Sequence, residues 1–197
     1  MPEGSRNLSL VAANRRPENG SFLPASFAQE RLWFLHQLKP NAAYNIPLAF
    51  RIKGRLNRDF LEQCLNQIIE RHETLRTHFE AVEGHLVQIV APFVPFKIPF
   101  TDLRSLPRQQ REERAIQSCV EDARRPFDLK EGSIFRVRLF QLETNDYVLL
   151  VNIHHIASDG WSMSVFFHEL NALYTACVEG KPAKLPELPI QYADFSA

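Results

Sequence analysis

The chain has 197 residues, 45% of them hydrophobic and 15 of them Phe, enough for one domain with a sizeable core. Lys plus Arg and Asp plus Glu both number 23, and that zero balance offers no electrostatic footing on nucleic acid or an anionic membrane surface. There is no apolar run of membrane-span length and no signal-peptide hydrophobic region, and Cys64, Cys119 and Cys177 lie far apart without zinc-site spacing; this reads as a cytoplasmic protein with reduced core thiols and no metal.

Residues 1–20 are polar, without apolar period, and read as a disordered lead-in or linker. Ser26-x-x-Gln29 is a capping box opening a helix over 26–38, with Ala28, Leu32, Leu35 and Leu38 at helical spacing and Trp33 and Phe34 widening the face. Arg31 sits among them and needs a partner if buried. Ile46, Leu48, Phe50 and Ile52 alternate along a strand over 44–53, and Pro47 suits an edge. Asn57 caps a second helix whose stripe is Phe60, Leu61, Cys64, Leu65, Ile68 and Ile69.

The stretch Arg71 to Phe79 leads into a hairpin that turns at Glu83-Gly84 and returns through Leu86, Val87, Ile89 and Val90. Phe96, Ile98 and Phe100 form a short strand among prolines. A third helix over 107–124 carries a buried stripe of Ala115, Ile116, Cys119, Val120 and Ala123 and a solvated charged face. Two strands, over 133–142 and 147–153, are joined by Thr144-Asn145-Asp146, and a last helix over 162–178 closes at Gly180. Pro182, Pro186 and Pro189 make a stiff, extended exit over 181–197. The expected class is α+β, a mixed β-sheet covered by helices.

The chemistry concentrates in Ile153-His154-His155-Ile156-Ala157-Ser158-Asp159-Gly160-Trp161-Ser162, where a buried strand ends and a helix begins. Imidazole accepts or holds a proton near neutral pH. Neighbours in an extended chain point to opposite faces, so one of His154 and His155 faces the core and the other a cavity. Asp159 has three roles open to it: orienting an imidazole, pairing with a buried Arg, or capping the helix. Gly160 permits close backbone approach of a ligand, and the N–H groups of the helix start suit an oxyanion. The plain alternative is two structural histidines.

His154-His155-x-x-x-Asp159-Gly160 resembles the HHxxxDG signature of nonribosomal peptide synthetase condensation domains. The stretches SFAQERLWFL (Ser26 to Leu35), RHETLRTHF (Arg71 to Phe79), RPFDL (Arg125 to Leu129) and the closing QYADFS match the same family in order. The resemblance implies one lobe of a chloramphenicol-acetyltransferase-like two-lobed fold, the lobe spanning 21–180. It implies amide formation, an amine on an acceptor carrier protein attacking a thioester on a donor carrier protein. By the same resemblance His155 takes the catalytic role, as base or as positioning group, and His154 is structural. Asp159 becomes a salt-bridge partner of Arg76, with Arg31 as the other candidate. Gly160 lets the thioester approach, and it borders the substrate with Trp161 and Ser162; Trp161 is read chiefly as packing. The AAYNIP stretch (Ala42 to Pro47) fits the subtype joining two L-configured residues.

No cofactor is expected in the lobe itself; the phosphopantetheine arms belong to partner carrier proteins. The partners implied are a C-terminal lobe and donor and acceptor peptidyl carrier proteins, with no nucleic acid and no membrane. The sequence contains no second lobe, so a catalytically silent N-terminal lobe is expected, whose apolar inter-lobe face suits a homodimer. Two other functions compete: a non-catalytic carrier-protein docking module, and a CoA-dependent acyltransferase of the same superfamily.

Overall fold

Short β-strands and amphipathic helices alternate along the chain because apolar period two and period three-to-four alternate in the sequence. In the computed structural model, which describes residues 21–196, the order is β1 (Ser21–Pro24), α1 (Phe27–Leu38), β2 (Asn45–Lys53), α2 (Arg58–Arg71), a 3-10 turn (Glu73–Arg76), β3 (Thr77–Val82), β4 (His85–Val90), β5 (Phe100–Asp102), α3 (Arg108–Arg124), β6 (Phe135–Glu143), β7 (Asp146–His154), α4 (Gly160–Glu179) and α5 (Tyr192–Phe195). The lead-in read over 1–20 lies outside the described residues.

The strands form two sheets rather than the single one expected. The larger runs β2-β7-β6-β5 and is mixed, since β5 pairs with β6 in parallel while the other pairs are antiparallel. The smaller runs β1-β4-β3. Its hairpin turns on Glu83 and Gly84, with φ of 51° and 83°, the pair of positive angles that matches the twist of the flanking strands. Pro47 does lie on an edge strand, β2, which has β7 alone as neighbour among the described residues.

β7 is buried on both faces. Leu149, Val151 and Ile153 pack with Leu61, Leu65 and Ile68 of α2 and Phe166, Leu170 and Leu173 of α4. On the opposite face Leu150 meets Ala115 and Cys119 of α3. Helices therefore cover both sides of the larger sheet, and each fully buried Leu or Ile contributes about 1.5–3 kcal/mol. α2 and α4 also bring Cys64 and Cys177 together, Sγ to Sγ 3.9 Å, although the two are far apart in sequence.

Two helices face differently from their apolar stripes. In α1 the buried residues are Gln29, Trp33 and His36, whereas Phe27, Phe34 and Leu38 are exposed. In α3, Ile116 and Val120 are exposed and Asp122 is buried, where it meets Arg136 of β6 (Nε–Oδ1 3.1 Å) and accepts from Asn152 Nδ2 of β7 (3.2 Å). Of the proline-flanked strand expected around Phe96, only Phe100–Asp102 is extended in a sheet.

Residues after Gly180 do not simply leave. Arg71 donates from its guanidinium to the Pro186 carbonyl, Gln191 Nε2 donates to Arg71 O (3.0 Å), and Gln191 Oε1 accepts from Glu73 N (3.2 Å). Tyr192 Oη lies 2.9 Å from Ser26 Oγ, and Ala193 is buried against Leu23 and Val90. The exit is a strap lying across the lobe.

Candidate active site

β7 delivers two histidines with opposite fates, as the alternation of an extended chain requires. His154, the last strand residue, is 0% exposed. Its Nδ1 accepts the Ile156 N–H (3.1 Å) while Nε2 is buried with no partner among the described residues. The ring is surrounded by Phe127, Tyr44 and His36, the last edge-on at 5.7 Å between centroids. Burial, with the nearby His36 and His155 adding to it, pushes the His154 pKa down to about 4. At neutral pH this is an uncharged imidazole.

His155 is exposed, its backbone N–H fixed by Tyr44 O at 2.8 Å. It lines a cavity of about 400 Å³ together with Gln29, His72, Val165, Phe166 and Gln191. α4 starts at the rim. Asp159 is its N-cap, accepting the Ser162 N–H (2.8 Å) and the Ser162 hydroxyl (2.6 Å) on Oδ1. Those two donors, and then the neighbouring His155, hold the Asp159 carboxyl below the usual carboxylate range. A helix start with a carboxylate already on its Ser162 N–H is a poorer oxyanion site than the bare turn expected from sequence.

The structure does not bring Asp159 to either arginine proposed as its partner. Arg76 donates to the Ala91 carbonyl and lies 3.7 Å from Glu73, and Arg31 is exposed on α1. Of the roles open to Asp159, it takes the cap. Gly160 opens α4, and a Cβ built there meets nothing within 4 Å, so this lobe puts no close contact beside it. Trp161 is 80% exposed on the cavity rim; it does not pack into the lobe as expected.

Two buried polar residues back the same cavity: Gln29 lines it, and Glu169 lies behind His72, which lines it. Glu169, on the buried face of α4, is held by Arg71 Nε on Oε1 (3.1 Å) and by His72 Nε2 on Oε2 (2.7 Å). A carboxylate one helical turn after Phe166, inside an apolar stripe, was the visible signal for this cluster. Gln29, 2% exposed, is spanned between the Ser26 N–H (Oε1, 2.8 Å) and Gln88 Oε1 (Nε2, 3.4 Å).

A buried histidine, an exposed one at a cavity, and a helix capped by the aspartate four residues on are consistent with the motif. The condensation-domain family model matches residues 19–197. The chain belongs to the condensation-domain family. It is 47% identical over 176 residues to one of the linear gramicidin synthase proteins of Brevibacillus parabrevis, covering 89% of this chain and 2% of that protein. It is 41% identical over 186 residues to phosphinothricin tripeptide synthetase PhsC of Streptomyces viridochromogenes, covering 94% of this chain and 17% of that one. Among solved structures, the X-domain from teicoplanin biosynthesis superposes with a TM-score of 0.79 at 31% identity, over 92% of this chain and 38% of that one. The starter condensation domain of rhizomide synthetase RzmA superposes with a TM-score of 0.78 at 24% identity, over 89% and 42%, a likeness of fold. This condensation-domain chain thus spans less than half of those solved structures and a small part of the curated relatives. Among the described residues, no helix is long and apolar enough to cross a membrane.

Proposed function

We infer that this chain is the N-terminal lobe of a condensation domain that joins an amine on an acceptor carrier protein to an acyl thioester on a donor carrier protein. The observation that carries the reading is the exposed ring of His155 on the wall of a cavity at a strand end, beside a buried, neutral His154. An α-amino group with a pKa near 8 is already partly neutral at pH 7.5. His155 therefore positions the amine and takes its proton after attack, as the tetrahedral species collapses and expels the thiolate. The apolar wall of Leu32, Val165 and Phe166 with polar His155 and Gln191 suits an uncharged, amide-bearing pantetheine arm; the arm itself belongs to the carrier protein and delivers the acyl group as a thioester. His154 is a structural residue in this reading, and Asp159 and Ser162 hold the helix that carries Gly160 and Trp161 to the substrate.

The partners are a C-terminal lobe, which closes the open side of the cavity, and the two carrier proteins; the location is cytoplasmic. The exposed Phe27, Phe34 and Trp161 are apolar surface for those partners, or for a second copy of the lobe. The test is amide formation between two loaded carrier proteins by a complete condensation domain containing this lobe. His155→Ala is expected to lower turnover at least a hundredfold, the usual scale of a proton-handling side chain, and unchanged turnover removes His155 from the role.

The likeness to the teicoplanin X-domain, which a further solved structure holds in complex with OxyB, favours a second reading, a docking module that performs no chemistry. Carrier-protein binding without amide formation by the complete domain would select it.

A further inference from the structure

The stretch Arg71 to Phe79 matches the family, yet the proposed reaction assigns none of its side chains a role. His72, at the C-terminal end of α2, lines the same cavity as His155, with its side chain 22% exposed. Behind it lies Glu169, whose side chain is 7% exposed and whose other oxygen is engaged by Arg71. A carboxylate that takes a guanidinium N–H on one oxygen accepts on the other as well. His72 Nε2 at 2.7 Å must therefore be the donor, and in the neutral ring the lone pair is left on Nδ1. That Nδ1 has no hydrogen-bond partner among the described residues and is not among the buried unpaired atoms, and it belongs to a partly exposed side chain of a residue that lines the cavity. Among the described residues, no carboxylate is hydrogen-bonded to the ring of His155.

We propose that His72 is a second substrate-contacting residue of this cavity, a hydrogen-bond acceptor whose tautomer Glu169 fixes so that Nδ1 receives an N–H from the bound substrate. This rests on the condensation reading, which supplies two N–H sources of the same chemistry: the acceptor's amine and the amides of the pantetheine arm. An imidazole of fixed tautomer at the wall recognises either without needing to change protonation state.

The test uses the chain itself and two probes, alanyl-aminopantetheine, in which an amide replaces the thioester, and pantetheine. Long-range proton–nitrogen correlation spectra read the imidazole tautomers directly. The expected result is His72 protonated at Nε2 in the free protein, with its Nδ1 resonance moving when alanyl-aminopantetheine is added. Movement with pantetheine as well assigns the donor to the arm; movement with the alanyl probe alone assigns it to the amine. His72→Lys keeps a donor for Glu169 and carries no acceptor, and it is expected to raise the Kd of the alanyl probe roughly tenfold, the effect of one lost hydrogen bond. A proton on Nδ1 in the free protein, or an unchanged Kd in folded His72→Lys, overturns the proposal. Movement of His155 alone sinks it while leaving the condensation reading intact. If neither imidazole moves at saturating probe, both fall together.

Discussion

His154 shows what burial does to a single side chain. Its ring has one good hydrogen bond and otherwise aromatic neighbours, so protonation would place a charge where water cannot reach. Its folded pKa, about 4, lies below the 6.5 of an exposed imidazole, so the unfolded chain binds the proton more readily. The stabilisation is complete above pH 6.5 and is lost as pH falls from there towards 4. At about 1.4 kcal/mol per pH unit that amounts to roughly 3 kcal/mol. His36, also pushed down by burial, adds to the same slope. Urea unfolding at pH 7 and pH 4.5 is expected to show this fall. His154→Asn keeps an acceptor near Nδ1 for the Ile156 N–H and should flatten the dependence; an equally steep fall in that variant would place the effect elsewhere.

At the scale of elements, capping chemistry was readable and helix rotation was not. Ser26 with Gln29, Asn57, and Gly180 with φ of 64° all terminate helices where the sequence placed them, because each acts on backbone within three residues of itself. In α3 the stripe of Ile116 and Val120 misled, since the partner that draws Asp122 inward is Arg136, a strand away. Asp159 failed in the opposite direction: resemblance suggested an arginine, while the local rule for an N-cap described what it does. The Asp122 cluster ties α3 to β6 and β7, and Arg136 also stacks on Phe127 at 3.8 Å. Asp122→Ala leaves the guanidinium without its carboxylate and should cost roughly 3–5 kcal/mol, whereas Asp122→Leu with Arg136→Met should recover most of it. Thermal melts of the three proteins decide this.

Over the whole molecule, the α+β class and the strand that ends in the motif were legible because β7 is apolar on both faces. The split into two sheets was not, since pairing of β1 with β4 depends on contacts between strands far apart in sequence (Pro24 with Val87, Ser21 with Val90). Cys64 and Cys119 lie on opposite faces of the larger sheet, and both thiols are raised by burial, Cys64 to about 12. Cys177 is half-buried. Iodoacetamide at pH 8 is therefore expected to label Cys177 first, with Cys64 and Cys119 reacting together at the rate of global opening. Rapid labelling of all three would mean that the helices do not pack as described.

The hydrogen bonds that Arg71 and Glu73 make to Pro186 and Gln191 have a practical consequence. Leu188, Ile190 and Tyr192 furnish one bank of the His155 basin, so an excision ending at Gly180, where the last long helix stops, is expected to leave that basin open on one side. Wherever this segment is grafted between synthetases, the splice belongs beyond Phe195.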